Sequence, residues 1–279
     1  MKIYLKFKMD NPDINFLITK AFKAKHNNNY WNQIIKLRTY VNDEMISECF
    51  EMIDSDDVKF KQIGIDVLCQ LGNNRESFVE SLFDKIFKIL RTTSDENLIC
   101  TSLFAIGHNN QYLKTKHFKT LEQFKNSESK EIRYALTFSL LGVENYKAVT
   151  MMIKLAQDRS LRVRDWATFG LGTQIECDDE EIRHVLYKNC FSKDHQIRHE
   201  AIKGLANRED KRAKAVILQE LKSESYESIL FDTILNIKHG EQYIPDLMAV
   251  YDKVRDDKNI NPQWIADLQN CIEILKINQ

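Results

Sequence analysis

Six small residues recur along the chain at nearly equal intervals: Gly72, Gly107, Gly142, Gly172, Ala206 and Gly240. The steps between them are 35, 35, 30, 34 and 34 residues. Self-similarity at a period of about 20–50 residues marks a repeat architecture and constrains the fold more than any local propensity. Around three of these positions the sequences align: Ile132–Gly142 (IRYALTFSLLG), Val163–Gly172 (VRDWATFGLG) and Ile197–Ala206 (IRHEAIKGLA). Each opens on an aliphatic residue followed by an arginine, Arg133, Arg164 or Arg198, and closes on Leu plus a small residue. Fainter copies run over 58–72, 98–107 and 229–240.

Between the small residues lies a second apolar pattern with helical spacing. Phe78, Val79, Leu82, Phe83, Ile86 and Phe87 form one stripe; Ala148, Val149, Met152 and Ile153 form another. Two more run through Ile182, Val185, Leu186 and Phe191 and through Ala213, Val216, Ile217 and Leu221. Polar helix starts precede several of them: Asn145, Asp178 (with Glu181 three residues on) and Asp210. Each repeat is therefore a helix pair, and a pair can bury its apolar face only against its neighbours.

The scarcity of turn formers agrees. There are 8 glycines and 3 prolines, and the prolines, Pro12, Pro245 and Pro262, leave 13–244 without any. A β-sandwich or doubly wound α/β chain would need many more. Five glycines fall on the period, where a helix ends and φ > 0 is useful. At 43% hydrophobic and 29% charged the chain is neither disordered nor membrane-embedded. No run approaches the ~20 apolar residues of a spanning helix. The start MKIYLKFKM has no long apolar region or small-residue cleavage site of a signal peptide. Six scattered cysteines without a CxxC fit buried thiols in a reducing compartment, so a cytoplasmic location is expected.

The expected map is a cap over 1–29 with a helix near 13–25, then helix pairs at 30–54, 57–91, 95–125, 129–156, 160–191, 195–222 and 225–255. A capping helix at 262–277, opened by Pro262, closes the segment 256–279. The chain reads as one continuous all-α solenoid. Asp158 with Val163-Arg164 and the Leu-Gly ending, and Ile197-Arg198 with Glu200-Ala201, resemble the HEAT-repeat family, in particular its short Arg-containing subtype similar to phycobilisome-lyase-type repeats. The resemblance implies an α-solenoid of about seven stacked helix pairs. Repeats before 129 depart from it, with Lys59 and Ile99 at the arginine slot. The family hosts unrelated functions, so fold does not fix activity.

Arg133, Arg164 and Arg198 share one phase, with Gly72, Gly107, Gly142, Gly172 and Gly240 as the other rungs of the ladder. Stacked arginines could hold phosphates; the favoured reading is that each pairs with an acid in a neighbouring repeat. Trp166 stands where Ala135 and Glu200 stand in adjacent repeats. A slot that accepts Glu is expected to be partly exposed, and Trp is frequent among binding hot spots. With Arg159, Arg162 and Arg164 beside it, Trp166 marks the expected contact patch. Arg208, Lys211, Arg212 and Lys214 form a second basic cluster. Residues 1–40 carry net +6 and 41–60 net −6, which reads as adjoining solvated faces or as a basic contact surface near the N-terminus.

His199-Glu200 resembles the His-Glu motif of deoxyhypusine hydroxylase, a HEAT-like di-iron family, but that family needs four such pairs and this chain has one. Cys177, His184, Cys190, His195 and His199 fall within 23 residues without tight ligand spacing, so no metal or cofactor is expected. An alkylpurine DNA glycosylase family is also built from HEAT-like repeats; here Asp165 and Trp166 diverge by about 100° and do not converge on one substrate. Nucleophile-elbow and phosphate-loop motifs are absent. The expected function is a non-enzymatic scaffold that binds a macromolecule, favouring a protein, with no membrane partner. Trp166, Arg162, Arg164, Arg208 and Arg212 are the contact candidates. The alternatives are a nucleic-acid binder, disfavoured by the formal charge of −1, and an accessory subunit of a lyase-type or metal-dependent enzyme.

Overall fold

The computed structural model describes residues 11–222 and 228–277. The lysine-bearing start, Met1 to Met9, and the first residues of the expected 225–255 pair lie outside the described residues.

Helix starts are set by short polar side chains. Asn42 accepts from the Met45 amide, Asp57 from Lys59 and Phe60, Asp95 from Leu98, Ser129 from Ile132 and Asp194 from Ile197. Each satisfies a backbone donor that a helix leaves orphaned. Asn145 and Asp210 cap as expected. The cap at 178–181 is displaced: Asp179, not Asp178, accepts from the Ile182 amide. The Asp178 carboxylate is instead taken by Arg183, at 2.5 and 2.9 Å.

Sixteen α-helices and no strand are found among the described residues. The chain divides into two compact units, Met1–Val143 and Glu144–Gln279. The division falls inside the expected 129–156 pair. The first unit holds α1 (Pro12–Lys23), α2 (Asn27–Leu37), α3 (Asp43–Asp54), α4 (Val58–Leu68), α5 (Glu76–Thr92), α6 (Glu96–Gly107), α7 (Thr115–Leu121) and α8 (Lys130–Ser139). In it α2, α4, α6 and α8 stack in order, as do α3, α5 and α7, and α1 covers α2 and α4. Ile34, Ile63, Leu68, Leu103, Ile106 and Leu136 fill the space between the layers. In the outer row Lys85 bridges to Asp54 at 2.6 Å and Lys116 to Asp84 at 3.7 Å, α5 to α3 and α7 to α5.

The second unit holds α9 (Tyr146–Leu155), α10 (Leu161–Thr173), α11 (Glu180–Asn189), α12 (His195–Asn207), α13 (Lys211–Leu221), α14 (Ser228–Asn236), α15 (Ile244–Val254) and α16 (Pro262–Ile277). Here α10, α12 and α14 stack as one row, α9 lies beside α11 and α13 beside α15, and α16 closes the unit against α14 and α15. Both units are stacks of helix pairs, the α-solenoid architecture.

Helix ends are where so few glycines must be compensated. Only Gly72 and Gly142 of the periodic glycines take the left-handed backbone, at φ of 62° and 71°. Gly172 is a close-approach residue. A Cβ on it would lie 2.8 Å from the Glu200 carbonyl oxygen, and a Cβ on Gly204 would lie 2.6 Å from the Gly172 Cα. Asparagine side chains meet several other end carbonyls, within a repeat or from an adjacent one. Asn109 Nδ2 donates to the carbonyls of Cys69 and Ala105, both at 2.9 Å. Asn110 donates to the Leu141 carbonyl at 2.7 Å, and Asn189 to the Ala156 carbonyl at 2.8 Å.

Candidate functional site

The three ladder arginines open α8, α10 and α12 on equivalent turns. Each sends Nη1 to the carbonyl six residues back: Arg133 to Ser127 at 2.6 Å, Arg164 to Asp158 at 3.1 Å and Arg198 to Ser192 at 3.0 Å. The repeated contact is thus a brace across the turn that leads into the motif helix. The acid expected in a neighbouring repeat takes a different place: Arg198 forks onto Glu220 of α13, within its own helix pair, at 2.8 and 2.9 Å. His199 Nε2 shares that carboxylate at 2.9 Å and is 2% exposed. Burial pushes the Glu220 carboxyl up, but the His199 and Arg198 hydrogen bonds outweigh it and hold the group at about 2.

Arg208 is not a contact residue. It is 9% exposed, and its guanidinium donates to the carbonyls of Leu171, Gly172, Ile175, Cys177 and Gly204 at 2.7–3.3 Å. It closes the C-terminal end of α10, whose last carbonyls would otherwise be orphaned. Arg212 remains part-exposed, paired with Asp210 at 2.7 Å, its guanidinium 4.8 Å from the Tyr187 ring centre. Arg212, Lys211 and Lys214 belong to α13, in the other row from Trp166, so the second basic cluster and the tryptophan do not form one patch.

What the motif helices of the second unit turn outward is mixed in chemistry. Leu161 is 52% exposed and Arg162 is exposed; Asp165, Trp166 and Phe169 are half-buried. On α12, His195 and Gln196 are exposed, and Glu200 and Lys203 half-buried. Trp166 meets Phe169 edge to face at 6.1 Å. The slot shared with Trp166 is part-accessible at Glu200, as its chemistry implies, but Ala135 in the first unit is fully buried. Burial raises the Asp165 carboxyl, Asp194 adds to the rise and His195 opposes it. Burial also raises Glu200, with Lys203 opposing and Asp165 reinforcing. Arg159 and Arg162 are exposed, whereas Arg164 and Arg208 serve backbone carbonyls, a use that has no local mark in the sequence.

In the first unit Phe104 meets Tyr134 at 5.8 Å and Phe138 at 5.5 Å, and His108 meets Phe138 at 5.3 Å. This aromatic row on α6 and α8 carries no arginine motif at its first helix and was not singled out from sequence. Tyr30 donates to Asp66 at 2.6 Å, with Lys59 4.0 Å above the Tyr30 ring centre. Among the described residues no group of three His, Cys, Asp or Glu side chains is placed to hold a metal ion. His195 and His199 have ring centres 6.4 Å apart. No helix among the described residues is long and apolar enough to cross a membrane.

No family model matches the chain. Protein YibA of Escherichia coli is 28% identical over 196 residues, which span 67% of this chain and 68% of YibA. The crystal structure of E. coli YibA superposes with a TM-score of 0.74 at 18% identity, covering 95% of this chain and 92% of that one. Importin beta superposes with a TM-score of 0.57 at 12% identity, over 95% of this chain and 43% of importin beta. A designed armadillo repeat protein in complex with peptide (KR)4 gives 0.50 at 13% identity, over 70% and 99%. These likenesses carry the HEAT-like repeat fold.

Proposed function

We propose that the chain is a non-enzymatic protein-interaction scaffold whose motif-helix face binds a segment of a partner protein. The observation that carries this is the outward face of α10 and α12. Trp166 and Phe169 sit half-buried there beside carboxylates, while Arg164 and Arg208 serve the backbone. Half-buried aromatics backed by a rigid helix row are the anchors of protein interfaces. A face whose motif arginine braces a turn offers phosphates little, which disfavours the nucleic-acid alternative. The designed armadillo repeat protein with its bound (KR)4 peptide is a relative in architecture that holds a peptide.

We place the chain with the short Arg-containing HEAT repeats on the six-residue brace made by Arg133, Arg164 and Arg198. A cytoplasmic site of action goes with this reading: all six cysteines are free thiols, four of them buried. The test is affinity capture from the native host with wild type and with Trp166→Ala of matched melting temperature. A protein held by the wild type and lost by the variant is expected. A partner retained by both sinks the assignment of this face.

A further inference from the structure

We infer that the first helix pair, α1 with α2, is a pH-sensitive latch on α4, closed while the Asp66 carboxyl holds its proton and loosened when it ionises.

Both ends of α2 are tied to one turn of α4. At its start the Tyr30 hydroxyl donates to Asp66 Oδ2 at 2.6 Å. At its end Arg38 donates to the Asp66 main-chain carbonyl, Nη2 at 2.6 Å and Nε at 3.0 Å, and to Gln70 Oε1 at 2.5 Å. Helices α1 and α2 pack chiefly on each other and on α4. A pair held through one neighbouring helix has few contacts to lose, and such a part of a repeat stack opens at the least cost.

Asp66 lies in that interface, 7% exposed. Among the described residues its carboxyl has one hydrogen bond, from a neutral phenol. Two cations stand near but bond elsewhere: Arg38 to the carbonyl and amide oxygens, while Lys59 sits 4.0 Å over the Tyr30 ring centre. The titratable and charged groups that act on the carboxyl are Tyr30 and Arg38 from α2 and Lys59 and Cys69 from α4. Among the described residues α1, α3, α5 and α6 bring none to it. A carboxylate buried without a charged donor costs far more than the acid, so the closed interface favours the protonated form. Burial accordingly raises the group to about 7. Once the pair lifts, water meets the carboxylate and its ordinary 3.8 returns. Below 3.8 the latch is at its tightest; above it, opening grows about tenfold per pH unit and levels off beyond about 7.

The test is amide hydrogen exchange on the full chain, read by mass spectrometry as protection relative to each amide's intrinsic rate, so that hydroxide catalysis cancels. Between about pH 5 and about pH 7, protection over α2 should fall by about a hundredfold. Protection over α5, in the same unit, should hold. Asp66→Asn keeps an acceptor for the Tyr30 hydroxyl, and its α2 should exchange without that pH dependence. Tyr30→Phe removes the one donor that favours the ionised form, so its α2 should go on loosening above the pH at which the unaltered protein levels off. Protection of α2 that ignores pH, an equal loss over α2 and α5, a pH dependence that survives Asp66→Asn, or a Tyr30→Phe profile that levels off no later than the unaltered protein overturns the inference.

Discussion

The guanidinium of Arg208 lies 2.7 Å from the carbonyl oxygen of Leu171, 37 residues earlier in the chain. One side chain of α12's end thereby finishes α10, one repeat before it. Helices that end without glycine need donors for their last carbonyls. At α10 the following repeat supplies them, so capping and inter-repeat packing are there the same contact. Asn109 on Cys69 and Asn189 on Ala156 do likewise with smaller side chains.

Arg208→Lys is expected to destabilise the second unit by about 3 kcal/mol, since an ammonium cannot reach five diverging carbonyls and leaves buried acceptors unmet. Urea unfolding followed by tryptophan fluorescence measures it. Arg162→Ala, at an exposed site, should stay within about 0.5 kcal/mol of wild type. Equal effects of the two would contradict the assignment.

Gly204→Ala should destabilise despite alanine's better helix propensity. The added Cβ would sit 2.6 Å from the Gly172 Cα, a backbone atom that cannot rotate away. The expected cost is about 1–3 kcal/mol, as for other overpacked contacts, against a propensity gain of about 1 kcal/mol. A rise in thermal midpoint would refute the close approach.

Glu220 makes the second unit sensitive to acid. Its carboxyl is held at about 2, below its ordinary 4.5, so its contribution to stability is present above pH 4.5 and lost as the pH falls towards 2. Glu220→Gln should flatten that acid limb and cost about 3 kcal/mol at neutral pH by stranding Arg198 and His199. Melting curves across pH 2–6 give the answer.

Asp66 works in the opposite direction in the first unit. Burial raises it to about 7, from 3.8, against the Tyr30 hydrogen bond and the nearby Arg38 and Lys59. The stability it confers is fully present below pH 3.8 and declines as the pH rises through about 7. Asp66→Asn keeps an acceptor for the Tyr30 hydroxyl and should show a flatter profile over that window. An unchanged slope would show that Asp66 does not titrate there.

The helix map was legible in the sequence because apolar periodicity and polar starts are local. The capping helix expected at 13–25 is α1, and the helix opened by Pro262 is α16. The partial exposure of Trp166 was legible through Glu200 in the same slot of the next repeat, although Ala135 in that slot is buried. Arg208 was not. Its neighbours Lys211, Arg212 and Lys214 make it look like part of a basic surface, and the carbonyls that claim it lie mostly 31–37 positions earlier. Asp178 misled for a related reason. It carries the composition of a cap, but Arg183 and Arg208 draw its carboxylate away and Asp179 takes the role.

The meeting of Gly172 and Gly204 also bears on how such a chain could diversify. Where two backbones touch, the pitch between successive repeats is set by hydrogen atoms alone. One methyl group would push α10 and α12 apart. A single small-residue exchange could therefore retune the spacing of successive repeats without altering any residue of the outward face.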